Sequence, residues 1–134
     1  MDLSDLKPKS DTVVVHLKHP ITGDPITHDN GKPMTIKVYG AHAKEYKSVQ
    51  NDIADNRLQT SFKDGERNKT LSLNELRESA LELASRTVVS WDITMDGKKP
   101  KLSQESALKL FEDFDWILEQ TQQAVNDFEA FLGK

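Results

Sequence analysis

Hydrophobic periodicity changes once along this chain, at Gly40, and that change limits the fold to strands followed by helices. Before Gly40, Met34 to Tyr39 alternates cleanly, with Met34, Ile36 and Val38 on one face and Thr35, Lys37 and Tyr39 on the other. A period of two marks a half-buried strand. Thr12 to Leu17 is β-branched and bounded by turn formers, which predicts a partner strand. Between the two lie Pro20, Gly23-Asp24-Pro25 and Asp29-Asn30-Gly31, turn punctuation throughout. A two-stranded hairpin is marginal on its own, so it must lie on something helical or pair through its edge with another chain. Residues 1–11 read as a polar N-terminal tail.

After Gly40 the rhythm is three and four. Ala43, Tyr46, Val49 or Gln50, Ile53 and Ala54 predict an amphipathic helix to about Arg57. Ser72-Leu73-Asn74-Glu75 is a capping box. The helix behind it carries a stripe of Leu73, Leu76, Ala80, Leu83, Ala84 and Thr87, ending near Thr87-Val88-Val89. Trp91 to Ile93 and the Asp96-Gly97 turn read as a compact connector. Ser103 reads as an N-cap for a short helix with Leu108 and Phe111. Asp113 or Asp115 would cap a last helix whose stripe is Ile117, Thr121, Ala124, Val125, Phe128, Phe131 and Leu132. The expected fold is α+β and mostly α-helical. It has an N-terminal β-hairpin over 12–40 followed by about four helices over 41–134, in a single domain (12–134).

At 134 residues the chain has room for one modest core. Apolar residues make up 36% and charged residues 30%, so that core is thin and the surface heavily solvated. The net charge of −4 argues against nucleic acid, whose phosphates require clustered Lys and Arg. No apolar run approaches membrane-spanning length. The acidic start, Met1 to Leu6, lacks the basic and apolar regions of a signal peptide, so the expected compartment is cytoplasm.

Chemistry finds little to work with. Without cysteine there is no disulfide, thiolate metal site or cysteine nucleophile. His16 and His19 are three apart on a strand and diverge, while His28 and His42 join no acidic ligand pattern, so capping or solvated histidines are expected. Asp24, Asp29 and Asn30-Gly31 lack the offsets and closing glutamate of a calcium loop and read as turns. No phosphate loop or nucleophile elbow is present. The expectation is a non-enzyme without cofactor or metal.

What stands out instead is aromatic. Both tryptophans and four of the five phenylalanines fall between Val88 and Lys134. Thr121, Ala124, Phe128 and Phe131 keep a helical rhythm for only about two heptads, too few for an independent coiled coil. Such a stripe packs back on Leu76 and Leu83, or docks a helix of another chain. Trp91, beside Asp92, reads as a core anchor with its N–H satisfied, and Phe111 as structural. Trp116, Phe128 and Phe131 are the candidate partner contacts.

Several short runs follow one another in a fixed order: Ser90-Trp91-Asp92-Ile93, Asp96-Gly97-Lys98-Lys99-Pro100 and Leu102-Ser103-Gln104-Glu105-Ser106-Ala107-Leu108. Phe114-Asp115-Trp116-Ile117-Leu118-Glu119-Gln120 and Ala124-Val125-Asn126-Asp127-Phe128 come next. This order resembles a pattern in the tail assembly chaperones of long-tailed bacteriophages. The N-terminal His19-Pro20-Ile21-Thr22-Gly23 and Gly31-Lys32-Pro33 are similar to that group too, so the likeness spans most of the chain.

That resemblance implies a chaperone in the host cytoplasm, absent from the finished virion. It would bind the helical tape-measure protein, help recruit tail tube subunits and self-associate. Many weak contacts along one rod would sum to tight binding. The family also makes a longer product by a −1 frameshift, and a slippery G GGA AAG heptamer would encode Gly133-Lys134. Gly133 and Lys134 equally suit a helix end. The alternative from another class is a structural virion component, such as a tail tube or head–tail connector subunit.

Overall fold

The computed structural model describes residues 2–63 and 73–127, with 58–63 described by their backbone alone. The Ser72 capping box, Phe128, Phe131, Leu132 and the Gly133-Lys134 end lie outside the described residues. Among the described residues the architecture is α+β, four α-helices and one three-stranded antiparallel sheet.

Strand β1 (Thr12–His16) pairs with β2 (Thr35–Tyr39), and β2 pairs with β3 (Val88–Asp92), giving the order β1-β2-β3. The register sets Val13 against Val38, Val15 against Ile36, and Ile36 against Trp91. Period-two alternation thereby sends Val15, Ile36, Val38 and Trp91 to one buried face. Thr12, Val14, His16 and Lys37 line the other face, which no helix covers among the described residues.

The third strand corrects the expectation of a purely N-terminal hairpin followed by helices. It lies between the second and third helices, where a connector was expected, and it completes the sheet. A bulge hid it: the register shifts between Lys37 and Val38, so that Val88 faces Val38 while Ser90 faces Lys37. Val89 is the extra residue, and Val89 and Ser90 are both exposed. Two outward residues in succession break the alternation by which a strand is read.

The 17–34 stretch is more ordered than a loop of turn formers suggests. Leu17 donates its N–H to Met34, Ile26 to Leu17, and Met34 to Ile26, so the chain passes back through the gap between the strand ends. Two tight reversals flank this pass, bridged at Lys18/Pro25 and Thr27/Pro33. Gly23 and Gly31 take positive φ of 76° and 85° in them, conformations a side chain would strain.

Helix α1 spans Lys44–Lys63, running past the expected end at Arg57. Its inner stripe is Tyr46, Val49, Ile53 and Arg57, whereas Gln50 and Ala54 are exposed. Helix α2 spans Leu73–Arg86 and turns the C-terminal half of the expected stripe inward. Ala84 and, just past the helix, Thr87 are buried and Ala80 and Leu83 half-buried, but Leu73 and Leu76 are 84% and 50% exposed, and Leu81 and Ser85 are buried instead. A stripe count cannot fix helix rotation when apolar residues occupy both flanks.

Helix α3 (Gln104–Asp113) begins as expected at Ser103. The Ser103 hydroxyl accepts the Ser106 N–H at 3.1 Å, and the Ser106 hydroxyl accepts the Ser103 N–H at 2.8 Å, a reciprocal cap with serine in the usual glutamate position. Helix α4 (Asp115–Val125) begins differently from expectation: Phe114, not an aspartate, is its N-cap residue, and no side chain caps it. Phe114 leaves helical geometry (φ −128°, ψ 80°) and breaks what would otherwise be one long helix.

Both helices bury one face against the sheet and α2. Ala107, Leu110, Phe111, Ile117, Leu118 and Val125 join Val15, Ile36 and Val38 in one cluster. Phe111, fully buried at its centre, contributes about 2 to 3 kcal/mol by transfer from water.

Candidate partner-binding surfaces

Trp116 lies in the first turn of α4 and is partly buried against the core. Its ring meets Phe114 edge-on, with centroids 6.0 Å apart and planes at 75°, an arrangement aromatic quadrupoles favour. The structure thus gives Trp116 a packing role on its inner side and leaves part of it at the surface. Beside it, Asp115 accepts a hydrogen bond from Arg77 of α2. Leu73 stands one turn before Arg77 on the same helix face, and both Leu73 and Leu76 are exposed. The two helices joined by the Arg77–Asp115 bond thus carry exposed leucines on α2 and a half-buried indole on α4. Phe128 and Phe131, the other candidate contacts, lie outside the described residues.

Trp91 sits on β3, 7% exposed, and its indole Nε1 donates to the Pro100 carbonyl at 2.9 Å. That bond closes the segment that reverses at Asp96 and Gly97 (φ 52° and 77°), between the paired Met95 and Lys98. Both glycine-tolerant conformations at the turn fit a two-residue hairpin.

Three of the four histidines, His19, His28 and His42, are engaged locally rather than in a ligand set, and His16 is exposed. His19 Nδ1 accepts the N–H groups of Ile21 and Thr22 at 3.1 and 3.3 Å. His42 Nε2 reaches the Ser10 carbonyl at 2.9 Å, fastening the tail to the start of α1. His28 contacts Thr94 through Nδ1, and through Nε2 it meets the Asp92 carboxylate at 3.1 Å and carbonyl at 3.2 Å. Hydroxyl, imidazole and carboxylate in series is the relay order of hydrolases. Here the hydroxyl belongs to exposed Thr94. The cluster pins the 27–33 reversal to β3. No group of three or more metal-ligating side chains occurs among the described residues. No described helix is long and apolar enough to cross a membrane.

Among the described residues, two concavities border α4. One, about 240 Å³, lies among Tyr46, Leu83, Ala84, Thr87, Thr121 and Val125, where α1, α2 and α4 converge. Burial there pushes the Tyr46 phenol above its ordinary value. The other is a groove of about 580 Å³ along the outer edge of β1, walled by Gln120, Gln123 and Ala124 of α4, within the size range of ligand clefts. Sequence reasoning did not find this groove, because its walls come from residues more than a hundred positions apart (Lys18 and Gln120).

Comparison with protein-family models, with curated proteins and with solved structures found no match to this chain.

Proposed function

We propose that this protein is a non-catalytic tail assembly chaperone of a long-tailed bacteriophage. It binds the tape-measure protein, helps recruit tail tube subunits, self-associates, and works in the host cytoplasm without entering the virion. The observation that carries the reading is the order of short sequence elements from His19 to Phe128 that resembles that family.

The physical roles of those elements support it. Trp91 and Pro100 are joined by a hydrogen bond, Asp96-Gly97 makes the reversal between them, and Ser103 and Ser106 cap the next helix. Residues with such roles are ones a shared fold would require together. Leu73, Leu76 and the surface side of Trp116 offer apolar area to an amphipathic helix, the form a tape measure takes.

Co-expression with the neighbouring tape-measure protein, followed by light-scattering chromatography, tests the reading. A soluble complex with many copies per tape measure is the expected result. If the tape measure precipitates and this protein is found in finished particles, it is a structural subunit and the chaperone reading falls.

A further inference from the structure

Among the described residues, the outer edge of β1 is closed at both ends and open in the middle. Asp11 accepts the Gly40 N–H at 2.9 Å and Leu17 donates to Met34 at 3.1 Å, so odd-numbered residues of this strand bond inward to β2. Even-numbered residues turn their N–H and C=O groups outward. At Lys18 both outward groups are taken: the Gln120 carboxamide accepts the N–H at 3.0 Å and donates to the carbonyl at 2.8 Å, as a peptide group of a paired strand would. At Thr12 the Ser10 hydroxyl accepts the N–H at 3.2 Å and donates to the carbonyl at 2.9 Å. Between these plugs lie Val14 and His16, facing the groove beside α4.

We infer that this open stretch pairs with the same stretch of a second copy, antiparallel about a two-fold axis at Val15. The plugs select this register. Setting Val14 against His16 of the other copy uses all four open backbone groups of each strand. Setting Val14 against Val14 would drive His16 onto the occupied Thr12, and setting His16 against His16 would drive Val14 onto the occupied Lys18.

The side chains agree with that register. On the core face Val15 meets Val15, and Val13 meets Leu17, so only apolar residues become neighbours. The two sheets become one six-stranded sheet, with the groove filled by the neighbour's β1.

This pairing deepens the self-association proposed above, yet it rests on the strand edge rather than on the family resemblance. Sedimentation equilibrium at submillimolar concentration should find a dimer. Val14→Pro deletes an outward N–H and leaves the β2 ladder intact, and each dimer loses two hydrogen bonds. Its dissociation constant should rise about tenfold to a hundredfold, with an unchanged circular dichroism spectrum.

Cross-linking gives the register independently of that variant's folding. The chain has no cysteine, so Val14→Cys/His16→Cys should yield a disulfide-linked dimer on mild oxidation, while Val14→Cys alone should not. A monomeric wild type, or a dimer that forms the Val14→Cys link as readily as the double variant, overturns the inference. Either result leaves tape-measure binding to be judged by its own co-expression experiment.

Discussion

Arg57 of α1 donates Nε to the Ser79 hydroxyl of α2 at 2.7 Å, and its Nη2 donates to the Glu75 carbonyl at 3.1 Å. With the Arg86–Asp52 pair at 2.8 Å it forms most of the polar seam between these two helices. Among the side chains described for α1, Ile53 is the one buried aliphatic. Arg57→Ala should therefore cost about 1 to 2 kcal/mol by urea denaturation. Amide exchange should accelerate more over 44–57 than over 104–113, because the lost bonds join α1 to α2 and none of them reaches α3. Equal acceleration in both stretches would mean that α1 and α3 open together.

At Trp91 the ring and the indole N–H are separable. Trp91→Phe keeps an aromatic ring in the core and gives up the bond to Pro100, so about 1 kcal/mol is expected. Trp91→Ala also leaves a cavity, and about 3 to 5 kcal/mol is expected. Similar losses for the two variants would show that the hydrogen bond, rather than the packing, holds this segment.

Ser103 and Ser106 cap α3 as a pair. Ser103→Ala should cost about 1 kcal/mol. Because each hydroxyl accepts from the other residue's backbone, the double alanine variant should cost less than the sum of the singles. Additive losses in thermal unfolding would show two independent bonds.

Tyr46 titrates in the folded chain above its ordinary value of 10.0, because burial penalises the phenolate. Above that value the unfolded chain gives up its proton first, so stability is intact below about pH 10 and falls as pH rises further. Tyr46→Phe should flatten that decline. The measurement is the difference in urea midpoint between about pH 9 and about pH 11 for both proteins. An identical slope in each would place the alkaline sensitivity elsewhere.

Phe128→Asp should abolish tape-measure binding or oligomerisation if its face is an interface. It should instead unfold the protein if that face is core, so circular dichroism accompanies the assay. A folded variant that binds normally removes Phe128 from the contact surface.

Local signals carried much of the fold. Strand β2 and the Ser103 cap were legible because alternation and capping chemistry are properties of neighbouring residues. The α2 rotation was not, since Leu76 and Leu81 are equally apolar and only the partner helices choose between them. Strand β3 was masked by its bulge. Of the candidate contacts, Trp116 is placed at the edge of the core, and the groove beside β1 escaped notice because Gln120 gives no sign in the sequence of reaching Lys18. Long-range polar contacts of this kind leave no periodicity to read.

The extra residue at Val89 has a consequence for growth. A sheet that offers two receptive margins can add subunits without limit and become a fibre. Here the bulge distorts the margin formed by β3, a common guard against addition, and only the β1 side keeps regular spacing. In the dimer inferred above, each copy would leave only its bulged β3 margin free, so joining at β1 would happen once and stop. The irregularity that breaks the alternation of a strand would then also set the count at which association ends.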